Sequence, residues 1–447
     1  MHTSDKHRTA SRHNGPRVLL YRFVMLSRRY VSTLVAVAIA AGVVHARQAD
    51  RAAQVQARID RIFKAREFDP PRFGPARWMP GGAAYAIVER PASGKGSEIV
   101  RYDAATGARS VLVAADRLVP PGAAAPLDID DYAWSADGKR LLLFTNTVKV
   151  WRQNTRGDYW VLDVGTGALR QLGAKAPKSS LMFAKFSPDG TRAAYVRGNN
   201  IYVEDLGRGT VTALTADGSE TIVNGTSDWV YEEELGVRDG FRWSPDGSRI
   251  AYWQFDTSGV GIFTLIDDTS ALYPTLTRIP YPKVGTTNSA VRVGVVAAAG
   301  GTTTWMKVEG DPREHYIARV DWLDAATLGI QQLNRLQNVN EFLLANAATG
   351  SVTRAFRDAS KAWVDVEEVR WIDKGAAFLW LSERGLSIQP SSCTPPPMST
   401  LNISTAGSSI PASFVTSGDG SVSGRSDLCD GSSTTSITGG RSNCDQV

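Results

Sequence analysis

The chain has 447 residues, 43% hydrophobic and 21% charged, with a formal net charge of +5. At roughly 100–200 residues per domain this allows about two to four domains or one large repeat array. Several basic residues precede position 48, so the rest is closer to neutral, with no polybasic surface for nucleic acid and no acidic tail.

The N-terminus reads as an export signal. Arg28 and Arg29 form a basic flank, Val31 to Val44 is an apolar run, and Val44-His45-Ala46 offers small residues where a signal peptidase reads. This predicts a signal peptide over residues 1–46, cleaved after Ala46, and a periplasmic or secreted product. Met25 would start a signal of ordinary length. The run is shorter than the ~20 residues that cross a bilayer, so no stable membrane span is expected after cleavage. An uncleaved N-terminal anchor is the rival reading. Residues 47–71 form a short helical segment: Ala52, Val55, Ile59, Ile62 and Phe63 recur at helical spacing, and Pro70-Pro71 ends the run.

From residue 72 to 385 the pattern is repetitive. Trp134-Ser135-Ala136-Asp137-Gly138, Phe186-Ser187-Pro188-Asp189-Gly190 and Trp243-Ser244-Pro245-Asp246-Gly247 each precede an apolar strand. A related signal starts at Trp78, and weaker copies start at Trp322 and Trp371. Such turns reverse the chain tightly because glycine accepts a positive φ. A second hairpin signal falls inside the repeats, at Asp103 to Gly107, Asp163 to Gly167 and Asn346 to Gly350. Two hairpins per unit make four strands, and a period of roughly fifty residues with four strands is a propeller blade. A β-sandwich would not keep so regular a double signal. The expected fold is therefore all-β, a β-propeller of about six four-stranded blades.

Residues 386–447 differ in kind. This tail is more than a third Ser and Thr and holds no Trp, Tyr, Lys, Glu or His. Such a composition cannot bury enough apolar surface to offset its ordering entropy, so a disordered tail is expected. All three cysteines, Cys393, Cys429 and Cys444, lie here, so no disulfide framework is expected in the repeats. The change is abrupt, in the middle of a strand-like run from Phe378 to Arg384.

One segment stands apart from the repeats: Asp228-Trp229-Val230-Tyr231-Glu232-Glu233-Glu234. Three consecutive carboxylates repel across a sheet and fit better on a short helix or loop projecting from the ring. There they either form a solvated face or clamp an ammonium group with charge-assisted hydrogen bonds. Downstream come Ile250-Ala251-Tyr252-Trp253-Gln254-Phe255-Asp256, Ile279-Pro280-Tyr281-Pro282-Lys283-Val284-Gly285 and Tyr316 to Trp322. This ordered series resembles the propeller of the dipeptidyl peptidase IV family, within the prolyl oligopeptidase superfamily, over roughly residues 58–384.

The resemblance implies an eight-bladed ring, of which about six blades are signalled here. It implies that Glu233 and Glu234 hold the free N-terminal amine of a peptide substrate, a ruler for removing dipeptides. Trp151-Arg152 resembles the pair whose arginine points at the substrate backbone, a task suited to a planar fork of donors. Glu232 keeps a structural reading, and Arg152 has an ordinary surface arginine as its alternative.

The family's serine sits in a G-x-S-x-G turn with Asp and His further along. No such turn occurs in this sequence, and after residue 46 His315 is the only histidine. No catalytic residue is assigned, and no metal or cofactor is expected, since one histidine and tail cysteines give no ligand cluster. The expectation is the substrate-gating propeller of a serine-type dipeptidyl peptidase, inactive alone, with a frameshift or premature end after Arg384 as the simplest origin of the tail. A non-enzymatic exported propeller that binds peptides or protein partners is the alternative. An open ring leaves sheet edges exposed, which predicts low stability or a homo-oligomer.

Overall fold

The computed structural model describes residues 17–70, 73–79, 81–92, 94–372, 377–380 and 382, and beyond these only four short strands. The chain divides into two compact units, residues 1–73 and 74–447. The described part of the first is a helix, α1 (Arg17–Phe63). It is longer than the short helix expected over 47–71, because it runs without a break through Ala46. The Ala/Gln/Arg-rich stretch is a good helix former, and neither it nor the Val-rich apolar run before it contains a proline to end the helix. None of the described helices is long and apolar enough to cross a membrane.

The second unit is a succession of antiparallel strand sets, mostly of four, of which the second and third are joined edge to edge into one eight-stranded sheet and the fourth has five strands and a separate hairpin. The first holds β1 (Ala76–Trp78), β2 (Ala84–Glu89), β3 (Glu98–Asp103) and β4 (Arg109–Val113) in that order. The second holds β5 (Asp131–Trp134), β6 (Arg140–Val150), β7 (Gln153–Asp163) and β8 (Leu169–Gln171). The third holds β9 (Leu181–Phe186), β10 (Arg192–Arg197), β11 (Asn200–Asp205) and β12 (Val211–Ala213), and β7 also pairs with β9.

The fourth is the most elaborated. β13 (Ile222–Asn224), helix α2 (Trp229–Leu235), β14 (Phe241–Trp243) and β15 (Arg249–Asp256) lead into a hairpin, β16 (Ile262–Asp267) and β17 (Thr275–Pro280). The chain returns through β18 (Ala290–Ala297) and β19 (Thr304–Trp305). The fifth holds β20 (His315–Trp322), β21 (Thr327–Asn334), β22 (Val339–Asn346) and β23 (Val352–Ala359). β24 (Arg370–Ile372) and β25 (Ala377–Leu379) pair as the start of a sixth. In the tail, β26 (Ser399–Leu401) pairs with β27 (Phe414–Thr416) and β28 (Ser421–Val422) with β29 (Ile437–Thr438). The expectation of a disordered tail otherwise falls outside the described residues.

These sheets are propeller blades because the apolar cores lie between successive sheets. Strand alternation sends neighbouring side chains to opposite faces. On β6, Leu141 and Leu143 pack toward the first blade with Ala86, Ile99 and Val113, whereas Leu142 packs toward the third. On β10, Ala193 and Tyr195 face the second blade, and Ala194 and Val196 face the fourth. On β15, Tyr252 faces the third blade, and Ala251 and Trp253 face the fifth. Phe342 and Phe356 then meet Phe378 and Trp380 at the next junction. Near-continuous apolar strands are what a sheet buried on both faces requires.

The repeated turn carries a repeated network. Ser135, Ser187 and Ser244 donate from Oγ to Asp137, Asp189 and Asp246 at 2.6, 2.5 and 2.6 Å. Each Oγ also accepts from the backbone N–H of the arginine that opens the next strand, Arg140, Arg192 or Arg249, at 2.9, 3.0 and 2.9 Å. Those arginines reach across blades: Arg140 donates to the Gly190 carbonyl at 2.8 Å and Arg192 to the Gly247 carbonyl at 2.7 Å. Each turn thus fixes itself, and the Arg140 and Arg192 turns also clasp the next blade. Ser244 is fully buried. Ser244→Ala removes the acceptor of the part-buried Arg249 N–H and a donor to the exposed Asp246 carboxylate, so it should lower unfolding free energy by about 0.5–1.5 kcal/mol. Thermal or urea denaturation reads this directly, and an unchanged midpoint would contradict it.

Candidate functional site

The acidic run Glu232-Glu233-Glu234 is helical, as expected from like-charge repulsion. α2 is inserted between β13 and β14 and framed by two sequence signals. Asp228 is its N-cap, and the carboxylate accepts from the Tyr231 N–H at 2.9 Å. Ser289 Oγ, at the start of the β18 segment, donates to the other Asp228 oxygen at 2.6 Å. Burial pushes the Asp228 carboxyl above its usual range, opposed by the Ser289 hydroxyl and the Tyr231 backbone. Gly236 ends the helix in a left-handed conformation with φ +66°, and its N–H returns to the Tyr231 carbonyl.

The helix buries one stripe. Tyr231 and Leu235, spaced i and i+4, enter the core between the fourth and fifth blades. The Tyr231 ring packs against Phe255 at 4.6 Å, and its hydroxyl accepts from the Ile317 N–H at 2.8 Å. Trp253 Nε1 donates to the carbonyl of the same Ile317 at 2.8 Å. Burial pushes the Tyr231 phenol well above its ordinary value, so it stays neutral. Arg319 donates to the Leu235 carbonyl at 2.8 Å, and Arg238 pairs with Glu232 at 3.1 Å. Asp239 pairs with Lys185 of β9, whose ammonium burial pulls down to about 8.

The three carboxylates therefore differ. Glu232 is 5% exposed and neutralised by Arg238. Glu233 is half-buried and accepts from Arg152 Nε at 2.7 Å. Glu234 is exposed and makes no hydrogen bond or ion pair to another described residue. Arg152 comes from the tip of the β6–β7 hairpin, where Val150 pairs with Gln153 across a two-residue turn. The first turn position, usually glycine, is Trp151 at φ +51°. That conformation costs a bulky residue about 1–2 kcal/mol. Its ring packs edge-on to Trp229 of α2 at 5.6 Å, and Trp229 meets Tyr281 at 5.5 Å. Arg152 and Glu233, 81 positions apart, are thereby brought together.

A cleft of about 860 Å³ opens beside Glu234. Trp229, Tyr281, Tyr316 and the hairpin residues Phe263 and Leu265 line it. Lys283 and Arg335 supply positive charge there. Among the described residues no group of His, Cys, Asp and Glu could hold a metal ion.

The profile described as "Dipeptidyl peptidase IV (DPP IV) N-terminal region" matches residues 135–422. The chain belongs to the dipeptidyl peptidase IV family. It is 32% identical over 266 residues to the probable dipeptidyl peptidase 4 of Emericella nidulans, covering 57% of this chain and 34% of that protein. It is also 32% identical over 239 residues to the inactive dipeptidyl peptidase 10 of Rattus norvegicus, covering 52% and 30%. The crystal structure of Porphyromonas gingivalis dipeptidyl peptidase 4 superposes with a TM-score of 0.64 at 29% identity, covering 71% of this chain and 44% of that one. The chain thus spans about a third of these curated relatives and under half of that solved structure.

The dipeptidyl peptidase IV resemblance carried Glu233, Glu234 and Arg152, and all three lie on or beside α2. Sequence reasoning missed the supporting residues Ser289, Tyr231 and Ile317, and the Glu232–Arg238 pair. The helix itself was signalled by Asp228 before the run and Gly236 after it. Tyr231→Phe keeps the ring but leaves the Ile317 N–H buried without its acceptor. It should cost about 1–3 kcal/mol of stability. Amide exchange should quicken at Ile317 above all; unchanged protection there would refute the role given to the hydroxyl.

Proposed function

We propose that this propeller holds the free N-terminal amine of a peptide, as the substrate-gating part of a dipeptidyl-peptidase-like protein. The observation that supports this most is the exposed, unpaired Glu234 carboxylate at the cleft, next to Glu233. An ammonium brings three donors and a charge to match two adjacent carboxylates. Arg152 occupies Glu233 in the free protein, but its side chain is 69% exposed. The Glu233 side chain is only 16% exposed, so its charge calls for a partner, and an incoming amine supplies one by sharing the carboxylate with Arg152 or taking that arginine's place. Arg152 is then free to donate to a backbone carbonyl of the bound peptide.

The residues of this sequence contain no G-x-S-x-G turn. We infer that they bind and orient the peptide and that cleavage is not their own chemistry. A second reading, a propeller that binds peptides without cutting them, is favoured by the likeness to a relative named inactive dipeptidyl peptidase 10. Both readings expect binding and no dipeptide release from the purified chain, so release in such an assay would contradict them both.

The binding itself is tested by calorimetry with a decapeptide and its N-acetylated form. The free peptide should bind at least about tenfold more tightly, the scale of a charged hydrogen bond. Glu234→Gln should abolish that difference. Equal affinity for the two peptides would sink the reading.

We also propose that the protein is exported, on the basic flank, apolar run and small residues up to Ala46. N-terminal sequencing of the exported product should begin at Arg47; a cytoplasmic product starting at Met1 or Met25 would contradict this.

A further inference from the structure

The cleft beside Glu234 carries charge of both signs. Besides the Glu234 carboxylate it is lined by Lys283 and Arg335. Arg335 is already engaged, by Glu314 at 3.0 Å and by the Thr286 carbonyl. Lys283 is exposed, and its ammonium has no hydrogen bond or ion pair to another described residue. It follows Pro280-Tyr281-Pro282, where two prolines fix φ and hold the backbone carrying it. The Thr286 N–H closes on the Lys283 carbonyl at 2.9 Å, and the Thr286 hydroxyl does so at 2.7 Å. The backbone under the ammonium is therefore tied down while its head is free.

Much of the remaining wall of the cleft is apolar and aromatic. Tyr281 packs on Trp229 at 5.5 Å and on Phe263 at 5.7 Å, so ring faces and edges from α2, β16 and the β17 exit form one surface. Leu265 extends it and is 45% exposed. A cavity of about 860 Å³ is of the size that encloses small ligands, typically about 300–1,000 Å³.

An exposed anion and an exposed cation, neither paired to another described residue, and an aromatic wall lining one cleft are complementary to one chemical class. We propose that this cleft binds free short peptides, dipeptides or tripeptides with an apolar first side chain, as zwitterions. Glu234 takes the ammonium, the Trp229–Tyr281–Phe263 surface takes the side chain, and Lys283 takes the terminal carboxylate. This rests on the amine-holding reading of Glu234 and adds to it the carboxylate contact and the apolar preference. The site would retain released short peptides as well as receive chain ends.

The test is calorimetry on the full chain with phenylalanyl-alanine, its C-terminal amide, its N-acetyl form and glycyl-alanine. The free dipeptide should bind, and both the amide and glycyl-alanine should bind about tenfold more weakly, the loss of one charged contact or one buried side chain. Lys283→Met should lower dipeptide affinity to that of the amide and leave the amide itself unchanged. Because Lys283 is exposed and unpaired, the variant should keep the wild-type melting profile. The proposal is overturned if phenylalanyl-alanine does not bind, if the amide binds as tightly as the acid, or if Lys283→Met weakens both alike. Loss of discrimination against the N-acetyl form would instead remove the amine reading underneath it. Sensitivity to acetylation without sensitivity to amidation would leave that reading standing and remove only this proposal.

Discussion

The backbone of one residue, Ile317, bonds the helix that carries the site to the propeller through one group and β15 through the other. Its N–H donates to Tyr231 of α2 and its carbonyl accepts from Trp253 of β15. Both bonds lie in the dry junction between the fourth and fifth blades, where an unmade hydrogen bond is expensive. They are available because β20 is the edge strand of its sheet, so the backbone groups that face away from β21 have no ladder partner. Buried groups of this kind must find another partner. Here that partner is the helix that bears the acidic run.

Once α2 is fixed, the differing fates of its carboxylates follow from helical geometry. Positions 231 and 235 point into the core, so Glu232 lies at the core's margin, where only a paired charge is tolerated, and Arg238 supplies the pair. Glu233 and Glu234 fall on the outer side, one against the β6–β7 hairpin tip and one against the cleft. The strained turn at Trp151 fits this scheme. Its cost is offset by an aromatic contact with Trp229 and by the Arg152–Glu233 pair, both of which converge on α2. Strain of this kind persists where surroundings over-determine it, and such places cluster at functional sites.

The blades were legible because turn chemistry is local. Ser-x-Asp-Gly and Asp-x-x-Thr-Gly name their own hydrogen bonds within a few residues, and the structure makes them at Ser135, Ser187 and Ser244 and at Asp103 and Asp163. Like-charge repulsion likewise took Glu232 to Glu234 off the sheets. Contacts across blades were not legible: the Arg140 and Arg192 clasps, Ser289 under Asp228 and Ile317 under Tyr231 join residues 50 to 86 positions apart. Family resemblance named Arg152 and Glu233 separately, and no spacing in the chain would have supplied the contact between them. The helical spacing of Ala52 to Phe63 was legible, and α1 continues from it back to Arg17 without a break.

The central claim, that α2 presents Glu233 and Glu234 to a peptide amine, is tested most directly by a crystal structure of the chain with a free-amine peptide bound. The account predicts the ammonium within hydrogen-bond distance of Glu234 and Glu233, α2 unmoved, and Arg152 turned toward the peptide backbone. A peptide bound elsewhere on the propeller, with Arg152 still closed on Glu233 and nothing at Glu234, would contradict it.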